Sequence, residues 1–149
     1  MPKSRKNTKI SSKTMKNRKP NTKENIVKSF LEILNAIKLY HWKTESYSQH
    51  KATDELHESL SENIDKFVEV LLGKAQNKSK YRITMVEKHM KMMDSNNEAD
   101  FIQKIHKYRA VLINMNNVLD KKKDSDLLNI RDEMLANINQ FLYLLSFDK

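Results

Sequence analysis

Apolar residues recur along this chain at the three- and four-residue spacing of amphipathic α-helices, in four separate stretches. In the first, Ile26, Phe30, Ile33, Leu34 and Ile37 share a face. Asn21 or Thr22 can cap it, and Glu24 puts a negative charge in the first turn, where the helix dipole favours one. The spacing predicts a helix from there to about Tyr47. A second stripe, Leu56, Leu60, Ile64, Phe67 and Leu71, predicts a helix from about His50 or Lys51 to Leu72, stopped at Gly73, the one glycine of the chain. The third carries Phe101, Ile105, Tyr108, Leu112, Met115 and Leu119. The fourth starts near Asp124 or Ser125 and carries Leu127, Met134, Ile138, Phe141 and Leu145.

Between the second and third stripes, residues 74–97 are first Lys-rich and then Met-rich (Met85, Met90, Met92, Met93), and they end in Asp94-Ser95-Asn96-Asn97. This stretch predicts a long connection holding one short helix, its methionines serving as adaptable packing. The other two links are short. Two antiparallel hairpins joined by one long connection have the wiring of a ferritin-like four-helix bundle, with the crossover between helices 2 and 3. The fold class expected is therefore all-α. One Gly and two Pro in 149 residues agree, being far too few for the turns of an all-β chain. No apolar run approaches the roughly 20 residues of a bilayer span, so no membrane partner is expected. The absence of cysteine removes disulfides, thiolate metal sites and thiol nucleophiles together.

Charge changes the picture at one end. The formal net charge is +9, from 28 basic and 19 acidic residues. Residues 1–23 hold nine of the basic residues (Lys3, Arg5, Lys6, Lys9, Lys13, Lys16, Arg18, Lys19 and Lys23) and no acid, which leaves residues 24–149 neutral. The domain division expected is thus a basic arm over 1–23 and a bundle over 24–149. The arm has too few large apolar groups to offset its ordering entropy, so it is expected to be disordered when free. It also lacks the apolar face of a transit peptide and the apolar run of a secretory signal. Clustered Lys and Arg bind a phosphate backbone by counterion release, without reading sequence, which makes DNA the expected partner. A solubilising tail or a nuclear-import address has a similar composition.

Candidate chemistry concentrates in residues 41–69, which contain His41, His50, Asp54, His57, Asp65 and Glu69. With Leu56 at zero and about 100° per residue, the apolar stripe of the second helix spans roughly 0–80°. His50, Asp54, Asp65 and Glu69 fall at roughly 120, 160, 180 and 220°, on a face turned away from the core. Di-iron carboxylate bundles that hold metal inside use Glu-x-x-His, and this chain contains no such motif. A site on the outer face becomes buried only when another subunit covers it.

That segment resembles the Dps family, the mini-ferritins or DNA-binding proteins from starved cells. His41-Trp42 is similar to the family's His-Trp on the first helix, and His50-Lys-Ala-Thr-Asp54-Glu55-Leu56 to its His-x-x-x-Asp-Glu-Leu. Asp65-x-x-x-Glu69 is similar to its Asp-x-x-x-Glu. The match covers residues 37–71. Three departures stand beside it: a shorter link from His41 to His50, Ser46 in place of a Gly, and Val70 in place of an Arg.

The resemblance implies a di-iron (Fe2+/Fe3+) site across a dimer seam. His41, His50 and Asp54 would come from one subunit, Asp65 and Glu69 from its partner. It also implies ferroxidase chemistry with hydrogen peroxide in preference to dioxygen, Fe3+ storage in a hollow dodecamer, and Trp42 packed beside the metals. The arm would bind DNA without sequence specificity. Location follows as cytoplasmic or nucleoid-associated, with a virion or nucleus also compatible. The rival reading is a Dps-derived shell that compacts DNA with a degenerate iron site and no catalysis. His57 falls where the family tends to carry an aromatic, and His89 and His106 have no matching partners in the pattern.

Overall fold

The computed structural model describes residues 22–77 and 82–147. Most of the basic arm, including Lys3, Arg5, Lys6, Lys9, Lys13, Lys16, Arg18 and Lys19, lies outside the described residues. Within them the chain is all-helical, with no strand: α1 is Thr22–Lys43, α2 Tyr47–Gly73, α3 Glu98–Asn114 and α4 Ser125–Leu145. None of these helices is long and apolar enough to cross a membrane, among the described residues.

The four stripes become one core. Ile26, Phe30, Ile33 and Ile37 meet Leu56, Leu60, Ile64, Phe67 and Leu71 across α1 and α2. Phe101, Ile105, Tyr108 and Leu112 of α3, with Leu127, Met134, Ile138, Phe141 and Leu145 of α4, close the other side. Helix α1 packs on α2 and α3, and α4 packs on the same two. Edge-to-face aromatic pairs, Phe30–Phe67 at 5.2 Å and Phe101–Phe141 at 6.1 Å, join facing helices. Tyr40 stacks on Phe101 at 4.0 Å. Each such pair adds about 0.5–1.5 kcal/mol beyond area burial.

The first turn differs from expectation. Helix α1 ends at Lys43, not near Tyr47, and α2 begins at Tyr47, not at His50 or Lys51. Ser46 is the reason: its extended backbone (φ −87°, ψ 122°) makes it an N-cap, and its hydroxyl accepts the Gln49 amide at 3.3 Å. Thr44 closes the turn by accepting the Ser46 amide at 3.2 Å. Ser46-x-x-Gln49 is the capping-box pattern, a signal already present in the sequence. Helix α3 likewise stops short of Leu119, giving way to a 3-10 turn over Met115–Asn117. Gly73 does end α2, but without the left-handed backbone expected of a glycine stop.

The connection after α2 is long, as expected, but its described residues (74–77 and 82–97) carry no helix. It runs as an extended strap along α1, tied at three levels. Lys28 Nζ meets Glu87 at 2.7 Å, the Asn35 amide meets Met90 Sδ at 4.0 Å, and Lys43 Nζ meets Asp94 at 2.7 Å. The register is physical. Fifteen helical residues rise about 22 Å, and seven extended residues reach about 23 Å. The strap thereby delivers α3 to the end of the bundle where α1 stops. There Asn97 caps α3 by accepting the Asp100 amide at 2.9 Å.

At the opposite end, Lys74 bonds the Lys123 carbonyl at 2.7 Å and Asp126 at 2.9 Å, which ties α2 to the α3–α4 link. Arg131 is the unexpected core-wall residue, only 5% exposed. Its guanidinium donates to the Leu112 carbonyl, Asn116 and Asp132, each at 2.8 Å, and so closes the C-terminal end of α3.

Candidate functional site

The α1–α2 turn brings His41, from the last turn of α1, against His50, from the first turn of α2. Their rings stack with centroids 3.8 Å apart and planes 23° from parallel. Each imidazole is tied to the other's backbone: His41 Nδ1 lies 2.9 Å from the His50 carbonyl, and His50 Nδ1 lies 3.0 Å from the His41 carbonyl. A carbonyl only accepts, so both Nδ1 atoms carry the hydrogen when the rings are neutral. Both Nε2 lone pairs are then left for something else. His41 Nδ1 is also 3.1 Å from the hydroxyl of buried Thr53, which donates to the Gln49 carbonyl at 2.7 Å.

Gln49 anchors this turn from beneath. It is buried; its side-chain oxygen accepts from Tyr40 at 2.6 Å and Thr44 at 3.0 Å, and its amide donates to Glu98 at 2.9 Å. Three helices are thus fixed to one side chain next to His50.

Asp54, one turn beyond His50, faces the free edge of His41, with Nε2 3.9 Å from Oδ1. Lys38, one turn before His41, reaches the same Oδ1 at 3.3 Å. The hydrogen bond from Lys38 holds the Asp54 carboxyl below its usual range, and the positive fields of Lys38, His41 and His50 add to it. One turn further, His57 is half-buried. Burial pushes its imidazole pKa down, and Lys38 and His41 reinforce that while Asp54 opposes it.

The structure therefore brings together three of the five sequence-predicted ligands, His41, His50 and Asp54. His41 is buried at 7% exposure, His50 is half-buried and Asp54 is exposed. Asp65 and Glu69 share the exposed side of α2 with Asp54. By the helix rise they lie roughly 16 and 22 Å further along the axis, so one chain does not gather all five. Among the described residues, no three His, Asp or Glu side chains of one chain converge closely enough to hold a metal ion. Asp65 and Glu69 make no ion pair or hydrogen bond with another described side chain.

Sequence reasoning missed Lys38, whose place one turn before His41 was the available signal, and gave His57 no partner. Trp42 is not packed against its own chain. It is 71% exposed, and Tyr47 across the turn is 78% exposed. His89 and His106 are exposed.

Residues 41–145 match a family model described as "Family of unknown function (DUF5856)", over two thirds of the chain. The chain belongs to that family. The DUF5856 match opens at His41 and spans all five candidate ligands, the capped turn, the strap and helices α2 to α4. No curated protein and no solved structure matches the chain.

Proposed function

We propose that this chain is a Dps-like mini-ferritin: a ferritin-like bundle that pairs with a second copy, completes an iron site at the seam and oxidises Fe2+ there. The observation that carries the reading is the paired imidazoles. Metal-binding histidines characteristically donate one ring N–H to a backbone carbonyl, which fixes the tautomer and turns the other nitrogen outward. His41 and His50 both have that arrangement, with Asp54 beside them. Imidazole with carboxylate suits Fe2+.

Three further observations support a second copy. The ligand set is open within one chain. Asp65 and Glu69 stand unengaged on the exposed side of α2, as residues serving a neighbour would. Trp42 and Tyr47 leave two large aromatic side chains in water beside the histidines, the kind of residue that subunit contacts cover.

In this reading Fe2+ is the substrate. His41, His50 and Asp54 hold it on one side, and Asp65 and Glu69 of the second copy hold it on the other. Two Fe2+ give up one electron each and one hydrogen peroxide takes both. With two protons it leaves as two waters, so both Fenton reagents are consumed together. The chain's own contribution is positional: Gln49 and Thr53 fix the turn, and the two carbonyls fix the rings. The product Fe3+ collects within a closed shell, proposed to be a dodecamer, and the basic arm binds DNA non-specifically.

One observation favours the rival, a DNA-compacting shell without catalysis: the Lys38 ammonium already sits on Asp54. Light scattering on the eluted protein followed by anaerobic Fe2+ titration separates the two. An oligomer that binds about two Fe2+ per site and then consumes peroxide supports the ferroxidase. A monomer, or an oligomer that takes up no Fe2+, overturns it.

A further inference from the structure

The neutral body of this protein conceals a segregation of charge. Residues 74–97, the strap, contain six basic residues and two acids, a net of +4, so the remainder of residues 24–149 carries −4. Of the helices, α2 and α4 carry net negative charge, whereas α1 and α3 carry net positive charge.

Lys74 is spent on Asp126 and the Lys123 carbonyl, but Arg82, Lys88 and Lys91 are left outward. Ile83, Met85, Val86, Met90 and Met93 are half-buried, while Arg82, Lys88 and Lys91 are exposed. The strap's two acids are consumed by α1, Glu87 by Lys28 and Asp94 by Lys43, each at 2.7 Å. Arg82, Lys88 and Lys91 have no carboxylate within ion-pair distance among the described residues; Lys88 instead reaches the Met85 carbonyl at 2.7 Å. The two basic segments also adjoin. The arm enters the described chain at Thr22, and Lys23 lines the same recess as Lys74, the first residue of the strap.

We propose that the strap is a second phosphate-backbone surface, continuous with the arm, so that a DNA duplex held by the arm lies along α1 against Arg82, Lys88 and Lys91. The proposal rests on the reading of the arm as a DNA-binding segment. Unpaired surface ammonium and guanidinium groups are what counterion release requires, since a lysine already held by a carboxylate has less to gain from a phosphate. A surface of this kind tracks a backbone and carries no base readout.

The test is the salt dependence of DNA binding by the full chain. Each phosphate contact contributes a slope of about −0.9 in log K against log salt. The triple variant Arg82→Gln, Lys88→Gln, Lys91→Gln is expected to lower the steepness by about two to three units on a duplex of arbitrary sequence, with an unchanged thermal midpoint. The control triple Lys51→Gln, Lys66→Gln, Lys107→Gln removes equal charge from the exposed helix surfaces and is expected to leave the slope alone. An unchanged slope in the strap variant, with wild-type protein binding well, overturns the strap and spares the arm. Failure of the wild-type chain to bind duplex at low salt overturns both. Equal losses in the two triples, or a strap effect seen only on anionic lipid vesicles, also overturn the proposal.

Discussion

His41 and His50 hold each other in place: each ring's Nδ1 lies within 3.0 Å of the other residue's carbonyl, and the rings stack at 3.8 Å. Both nitrogens able to bind a metal are therefore Nε2. Long-range proton–nitrogen NMR of the metal-free protein at neutral pH is expected to show both rings as the Nδ1–H tautomer. Either ring in the Nε2–H form would remove the feature on which the metal reading stands.

Lys38 competes for the same carboxylate. An exposed pair of this kind contributes little to stability, so removing it costs the metal-free fold little and leaves Asp54 open. Lys38→Met is expected to tighten Fe2+ binding, measured anaerobically by calorimetry, by about two- to fivefold. Weaker binding in this variant would mean that Lys38 supports the bound state, contrary to the competition argued above.

His57 sets a pH response. Its folded pKa lies below the ordinary imidazole value of 6.5, chiefly through burial. Protons therefore favour the unfolded chain. The contribution to stability is complete above the unfolded value and is lost as pH falls through the folded one. Urea unfolding is expected to shift to lower midpoints between about pH 7.5 and 5.5, and His57→Gln to make that shift smaller. Asp54 has the same sign at lower pH, since Lys38 depresses its pKa. An equal shift in the His57 variant would locate the response elsewhere.

Much of this was legible beforehand because burial follows periodicity. Every apolar position of the α2 stripe is buried, and its outer face holds the exposed carboxylates where the angles put them. The turn was less legible, because an apolar stripe says nothing of a cap. Ser46 and Gln49 set the boundary through hydrogen bonds that hydrophobicity does not register. Arg131 escaped for a related reason. A guanidinium is expected in water, and its burial is explained by the carbonyl of Leu112, nineteen residues away in sequence, together with Asn116 and Asp132. The His41–His50 stack was half-visible: the residue types marked a site, but their reciprocal bonds depend on a turn whose length the stripes did not fix. Asp65 and Glu69 show the limit, since their proposed partners lie on another copy of the chain.

Whether the ligands come from two chains is decided most directly by mixing defective subunits. His50→Ala and Glu69→Ala would each abolish the site when present in every subunit. Co-refolded in equal amounts, they regenerate an intact site wherever a His50-bearing chain faces a Glu69-bearing one, which random pairing gives in about one quarter of sites. Anaerobic Fe2+ titration of the mixture is expected to recover about a quarter of wild-type binding, with none in either variant alone. No recovery in a mixed oligomer, or full binding by either variant by itself, would contradict a site shared between two chains.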